Sequence, residues 1–159
     1  MDRDQRVAGA VVGSAVGDAL GAPFEFSRER TFSARFPQPD PDNEMCGGGS
    51  WEPGEATDDP DQATEFNGAV WPCLGSAVWA LRTTTSFDAA LRTAVDLGGD
   101  TDTVAAVTGG LAGAVYGLDA IPAPWTRPLH LLLPGTGGRE LDLADLTTLA
   151  ARLDKQPTE

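Results

Sequence analysis

Glycine recurs every fourth residue in two separate stretches of this 159-residue chain, at Gly9, Gly13, Gly17 and Gly21 and again at Gly109, Gly113 and Gly117. A spacing of four sets each row on one face of a helix. An interior helical glycine costs about 1 kcal/mol against alanine, so two such rows make sense only where another backbone comes unusually close. The spacing therefore predicts two helices in direct contact along their glycine faces. A codon bias toward Gly and Ala would enrich both residues, but it does not set a period of four.

The intervening pattern is helical too. Pro72 suits the first turn of a helix running to about Leu81, and Ser86 can cap a second whose Phe87, Ala90, Leu91, Ala94 and Val95 form an apolar stripe. Gly98 stops it. The next helix, near residues 102–116, is expected to bury Val104, Val107, Leu111 and Val115, while Leu143, Leu146, Leu149, Ala150 and Leu153 predict a closing amphipathic helix. Alternating strand patterns are lacking apart from a short extended piece at 129–133. These features predict an all-α protein, a compact helical bundle forming one domain over residues 1–159. Residues 28–56, rich in Pro, Gly and charge, read as an irregular surface loop that moves without substrate, and 156–159 as a frayed tail.

Charge and scarcity narrow the chemistry. A formal charge of −13 argues against a partner held through phosphate contacts, which needs clustered Lys and Arg; nucleic acid would enter only as a modified substrate. His130 is the sole histidine and Lys155 the sole lysine. A Ser-His or Cys-His pair, a histidine zinc site, a Schiff-base lysine and a phosphate-loop lysine all need residues this chain barely has. Cys46 and Cys73 lack metal-ligand spacing and nothing upstream reads as a secretory signal, so reduced thiols in the cytoplasm are expected. The apolar stretch 7–24 raises a membrane question, but Asp18 and the glycines interrupt it, and a buried soluble helix with no membrane partner is the reading adopted.

What remains is carboxylates, hydroxyls and metals. The run Gly98-Gly99-Asp100-Thr101-Asp102-Thr103 sets two acids and two hydroxyls at the mouth of the second glycine helix. At a helix entrance both acids can face one point, with the glycines letting the backbone bend. The same run also suits an N-cap followed by a first-turn acid favoured by the helix dipole. Thr57-Asp58-Asp59 and Glu25 supply further oxygens. Were Glu25, Asp58, Asp59, Asp100 and Asp102 to share a pocket, carboxylates ~4 Å apart would repel by roughly 1 kcal/mol in water and more when desolvated. Hard divalent cations such as Mg²⁺ or Mn²⁺ would relieve that. Asp100 to Val104 also matches the Asp-x-Asp-x-Thr/Val pattern of haloacid-dehalogenase-type phosphotransferases, but there the motif follows a buried strand, and the lysine those enzymes use is absent.

Three blocks together resemble the ADP-ribosylglycohydrolase family: residues 13–25 (GSAVGDALGAPFE), Thr57-Asp58-Asp59 after a Gly/Trp loop, and residues 98–117 (GGDTDTVAAVTGGLAGAVYG). The resemblance implies an all-helical fold with a two-metal centre that cleaves the glycosidic bond between ADP-ribose and an acceptor. By that match Thr57, Asp58, Asp59, Asp100, Asp102 and Thr103 would be metal ligands for two Mg²⁺ ions, with Mn²⁺ as the substitute. Gly98 and Gly99 would lie beside the ligand. Glu25, Asp59 and Asp102 would be the catalytic acids, Glu25 occupying the place of a glutamate that approaches the metals. Familiar members are nearly twice as long and follow Thr-Asp-Asp with another Thr, whereas Asp59 here meets Pro60. The chain reads as the family's two ends joined with the central helices absent. A catalytically impaired metal- and ADP-ribose-binding module, or a truncated pseudoenzyme, is the alternative reading, and missing helices would expose faces that a homodimer could cover.

Other residues have plainer readings. Trp51, Trp71, Trp79 and Trp125 are expected in the core or a lid rather than on adenine. His130 is expected to be structural, and Arg82 and Arg92 to lie on solvated helix faces rather than at a diphosphate.

Overall fold

A computed structural model describes residues 1–47, 52–54, 70–132 and 138–155. Eight helices account for most of them: α1 (Arg3–Gly21), α2 (Thr31–Arg35), α3 (Pro41–Glu44), α4 (Val70–Thr83), α5 (Phe87–Val95), α6 (Thr101–Tyr116), α7 (Ala123–Thr126) and α8 (Leu143–Asp154). The only sheet among the described residues is a two-residue antiparallel pair, β1 (Leu131–Leu132) with β2 (Glu140–Leu141), in the register Leu131↔Leu141. The extended piece expected at 129–133 is this pairing, and the all-α class stands.

The centre of the molecule is α1 against α6. A Cβ added at Gly9, Gly13 or Gly17 would run into the carbonyls of Gly113, Gly109 or Ala105, and one at Gly17 would sit 2.5 Å from the Ala105 carbonyl carbon. The two glycine faces do interlock. Gly117 departs from the ridge pattern: it is the C-cap of α6, at φ 85°.

This close approach overturns one detail of the expected core. Along α6 the buried residues beyond its first two, Thr101 and Asp102, are Val104, Ala105, Thr108, Gly109, Ala112 and Gly113, whereas Val107 is 36% and Val115 48% exposed and Leu111 is only half-buried. The small residues face α1, and the larger ones are turned away from it. In α8, likewise, Leu146 and Ala150 are buried but Leu149 and Leu153 are exposed. The stripe on α5 is buried as expected, with Ser86 Oγ accepting the Ala89 N–H at 3.3 Å. By length and hydropathy α1 with its following turn could cross a membrane, but here most of it is buried inside the fold.

Residues 28–47 are not the irregular loop expected. They fold into α2 and α3 and place Phe32, Glu44 and Met45 in the interior. Phe32 stacks edge-on against Phe24 at 5.2 Å. Glu44, fully buried, meets the Arg92 guanidinium through two 2.9 Å bonds, and Arg92 also pairs with Asp88 and covers the Trp125 ring at 5.2 Å. Arg92 is therefore an internal anchor and not a solvated side chain. Burial raises the Asp88 carboxyl, yet the Ser86 hydroxyl and Arg92 outweigh it and leave the group below its ordinary value. Arg82 is exposed as expected, Trp125 is fully buried, and Trp79 is about half exposed rather than core. His130 is structural: its Nδ1 donates to Pro128 O at 2.9 Å and its backbone N–H to Gly54 O at 3.0 Å.

Candidate metal centre

The acidic cluster forms where the two glycine-bearing helices end. A single turn of 3-10 helix, Ala22–Phe24, follows α1 and delivers Glu25. At the facing end, Asp100 is the N-cap of α6 and Asp102 lies in its first turn. The buried Thr101 hydroxyl donates to Gly21 O at 2.8 Å, so one of the two hydroxyls singled out in the sequence serves to fasten α6 to α1. Gly98 and Gly99, at φ 72° and 75°, carry the chain from α5 into α6 through a conformation that disfavours any side chain. At Gly98 a Cβ would also lie 2.6 Å from Glu29 N. Gly99 is bridged to Ser27.

Glu25, Asp100 and Asp102 each bring a carboxylate oxygen within 4.8 Å of the others. Asp100 and Asp102 are buried, at 3% and 8% exposure, and Glu25 is half-buried. The Thr103 N–H is shared: it donates to Asp102 Oδ1 at 2.7 Å and to Asp100 Oδ1 at 3.3 Å. Helix capping thus accounts for Oδ1 of Asp100, while its Oδ2 is buried and meets no hydrogen-bond donor. Asp102 is pushed up to about 7, first by burial, then by a hydrogen bond with Asp100 and by repulsion from Glu25 and Asp100, against the pull of the Thr103 N–H. A proton shared between the two aspartates is one way to relieve this arrangement; a cation is the other. The donor set, all hard oxygen with one buried oxygen lacking a donor, fits a divalent ion of the Mg²⁺ or Mn²⁺ type.

Of the residues expected at the site, Glu25, Asp100 and Asp102 come together, and Thr103 adjoins them through its N–H. Gly98 and Gly99 border them and are engaged with the backbone of residues 27–29. Thr57, Asp58 and Asp59 lie outside the described residues. Asp18 is elsewhere, on a groove shared with Ser14, Ala106, Leu131 and Leu146. Cys73 was missed as a neighbour of the site: its thiol points at Thr103 O across 3.9 Å, and burial followed by the Asp100 charge raises its pKa. No spacing in the sequence links Cys73 to Thr103, 30 residues away.

The family model described as ADP-ribosylglycohydrolase matches this chain in two stretches, residues 1–67 and 60–158, which meet where the sequence reads as two joined ends. ADP-ribosylarginine hydrolase Tri1 of Serratia proteamaculans is 46% identical over 63 residues, 40% of this chain and 17% of that protein. ADP-ribosyl-[dinitrogen reductase] glycohydrolase of Rhodospirillum rubrum is 41% identical over 59 residues, 37% of this chain and 20% of that protein. ADP-ribosylhydrolase ARH3 of Homo sapiens is 52% identical over 33 residues, 21% of this chain and 9% of that protein. These matches therefore span a fifth or less of each relative's length. A solved structure of an "ADP-ribosylglycohydrolase-related protein complex" superposes with a TM-score of 0.72 at 22% identity, covering 96% of this chain and 98% of that one, and so has the same fold. With the family model matching nearly the whole of these 159 residues, the chain belongs to the ADP-ribosylglycohydrolase family.

Proposed function

We propose that this protein is a metal-dependent hydrolase that cleaves the glycosidic bond joining ADP-ribose to an acceptor, at a centre built on Glu25, Asp100 and Asp102 and completed by Thr57, Asp58, Asp59 and Thr103. The observation that carries the reading is the convergence of three carboxylates within 4.8 Å, one of them with a buried oxygen that no donor meets. Membership of the family supports the substrate class. Two Mg²⁺ ions, with Mn²⁺ as the substitute, are the cofactors of this reading; bound there they would supply Lewis acidity toward a sugar hydroxyl or a water.

The residues divide the remaining work by environment. Asp100 and Asp102 are buried and fixed by the Thr103 N–H, which suits them to hold charge in place with little reorganisation. Glu25 is only half-buried, so it can exchange protons with solvent and serve the leaving group as general acid, as carboxylates do in glycoside hydrolysis. Asp59 and Asp102 share the catalytic role in orienting the attacking water. Gly98 and Gly99 belong to the ligand-facing rim.

The surroundings extend the proposal. Cys46 and Cys73 are both free thiols, in keeping with a cytoplasmic protein. Leu74, Val78 and Trp79 expose an apolar face on α4 that a second copy in a homodimer would cover. Membranes and nucleic acid form no part of this reading, except for nucleic acid carrying the modification.

Release of ADP-ribose from an ADP-ribosylated peptide, with and without Mg²⁺, is the deciding assay. Turnover that needs the ion and disappears in Asp102→Asn is the expected result. A folded protein that takes up Mg²⁺ and ADP-ribose yet releases nothing would instead be the binding module.

A further inference from the structure

Four hydrogen bonds join the strap that carries Glu25 to the turn that carries Asp100, and two of them end on Asp96. The Phe26 N–H donates to Gly99 O at 2.7 Å and the Gly99 N–H to Ser27 O at 3.0 Å. Further along, the Arg30 N–H donates to Asp96 O at 2.7 Å, and the Ser33 N–H to Asp96 Oδ1 at 2.8 Å. The strap does not hold this shape by local preference. Phe26 and Arg30 sit at φ 57° and 63°, a left-handed backbone that costs a non-glycine residue about 1 kcal/mol or more. Half of Phe26 is exposed, so burial of its ring offsets little of that cost.

Asp96 is itself in an awkward place. It is the C-cap of α5, where the helix dipole disfavours a negative side chain. Its side chain reaches across to a backbone N–H 63 residues away in sequence, and that long-range bond accounts for an acid at a helix C-terminus.

We propose that Asp96 is a positioning residue for the carboxylate cluster: its side chain, accepting from the Ser33 N–H beside the bond that its backbone carbonyl accepts from Arg30, holds residues 25–33 against residues 96–102 and so fixes where Glu25 stands relative to Asp100 and Asp102. This rests on the cluster being a divalent-cation site. The Arg30 bond ends on the main chain and any residue keeps it, whereas the Ser33 bond needs a side-chain oxygen acceptor, not a charge, so Asn can replace Asp at this position and Ala cannot.

The test compares Asp96→Ala and Asp96→Asn with the unmodified protein by two measurements. Calorimetric titration with Mg²⁺ or Mn²⁺ should show Asp96→Ala weakened about tenfold, the range typical of residues that orient metal ligands, with Asp96→Asn within about twofold of the unmodified protein. Hydrogen exchange on metal-free protein should show the Ser33 amide, and with it the Phe26 and Gly99 amides, losing protection in Asp96→Ala alone, while the amides along α1 and α6 keep theirs. Unchanged affinity and exchange in Asp96→Ala would overturn the proposal, as would Asp96→Asn behaving like Asp96→Ala, or protection falling uniformly. If the unmodified protein binds neither ion, the cation reading falls, and the exchange arm still decides: selective loss at Phe26 and Gly99 supports the role of Asp96 in holding the strap, and unaltered protection ends it.

Discussion

The α1/α6 interface and the acidic cluster at its end are adjacent, yet they are built on opposite principles. Along the interface, residues with almost no side chain let two backbones touch, and the buried Thr101 hydroxyl at its end is satisfied by Gly21 O. At the cluster, three acids converge, one buried oxygen lacks a donor, and the neighbouring backbone is at positive φ at Phe26 and Arg30. The first region supplies stability and the second consumes it. Strain and repulsion of this kind survive only when the surroundings over-determine them.

The sharpest way to break the contrast is to add atoms where the interface has none. Gly109→Val should fail to fold or lose at least about 3 kcal/mol, because the added carbons would collide with the backbone at Gly13; circular dichroism and thermal melts read the result. Next in size, Glu44→Ala leaves Arg92 buried without its main partner and should cost about 3 kcal/mol in urea unfolding. A null effect there would mean that α3 is not anchored through this pair.

The cluster should respond in the opposite direction to ordinary acids. Because the folded protein holds the Asp102 proton up to about pH 7 while the unfolded chain releases it near the ordinary carboxylate value, the folded state binds more protons between those limits. Metal-free stability is therefore highest at acid pH, as far as this group is concerned, and falls as pH rises toward and through about 7. Saturating Mg²⁺ should flatten that slope. Asp102→Asn should gain roughly 1–2 kcal/mol over the metal-free parent above neutral pH while losing ion uptake; a loss of stability would show that the group is not repelled. The smallest effect belongs to one of the larger apolar side chains of α6: Val115→Thr, at an exposed position, should change the melting free energy by no more than about 0.5 kcal/mol.

These predictions also mark what could be read from the letters alone. The ridge period fixed both partners of the central contact, and the Gly-Gly-Asp-Thr-Asp-Thr run and Glu25 pointed to the cluster, because short spacings on helices and turns translate directly into geometry. Two things were hidden. Apolar periodicity alone chose Val107 and Val115 as core, since it ranks residues by size and could not see that the small face, not the large one, meets α1. The Glu44–Arg92 pair spans 48 residues and joins a Pro- and Gly-rich stretch to a helix, so no local pattern announced it. Asp96 escaped notice for the same reason.

The Thr101 hydroxyl on Gly21 O has a wider implication. Glu25 follows one end of that bond by four residues and Asp102 follows the other by one, so the gap between the two acids is governed by how α1 and α6 are phased along each other. A slip of one turn, about 5.4 Å, would exceed the 4.8 Å that now spans the whole cluster. Anyone transplanting this centre into another scaffold must carry over the phasing of the helix pair; copying the acids by themselves would leave them out of reach of one another.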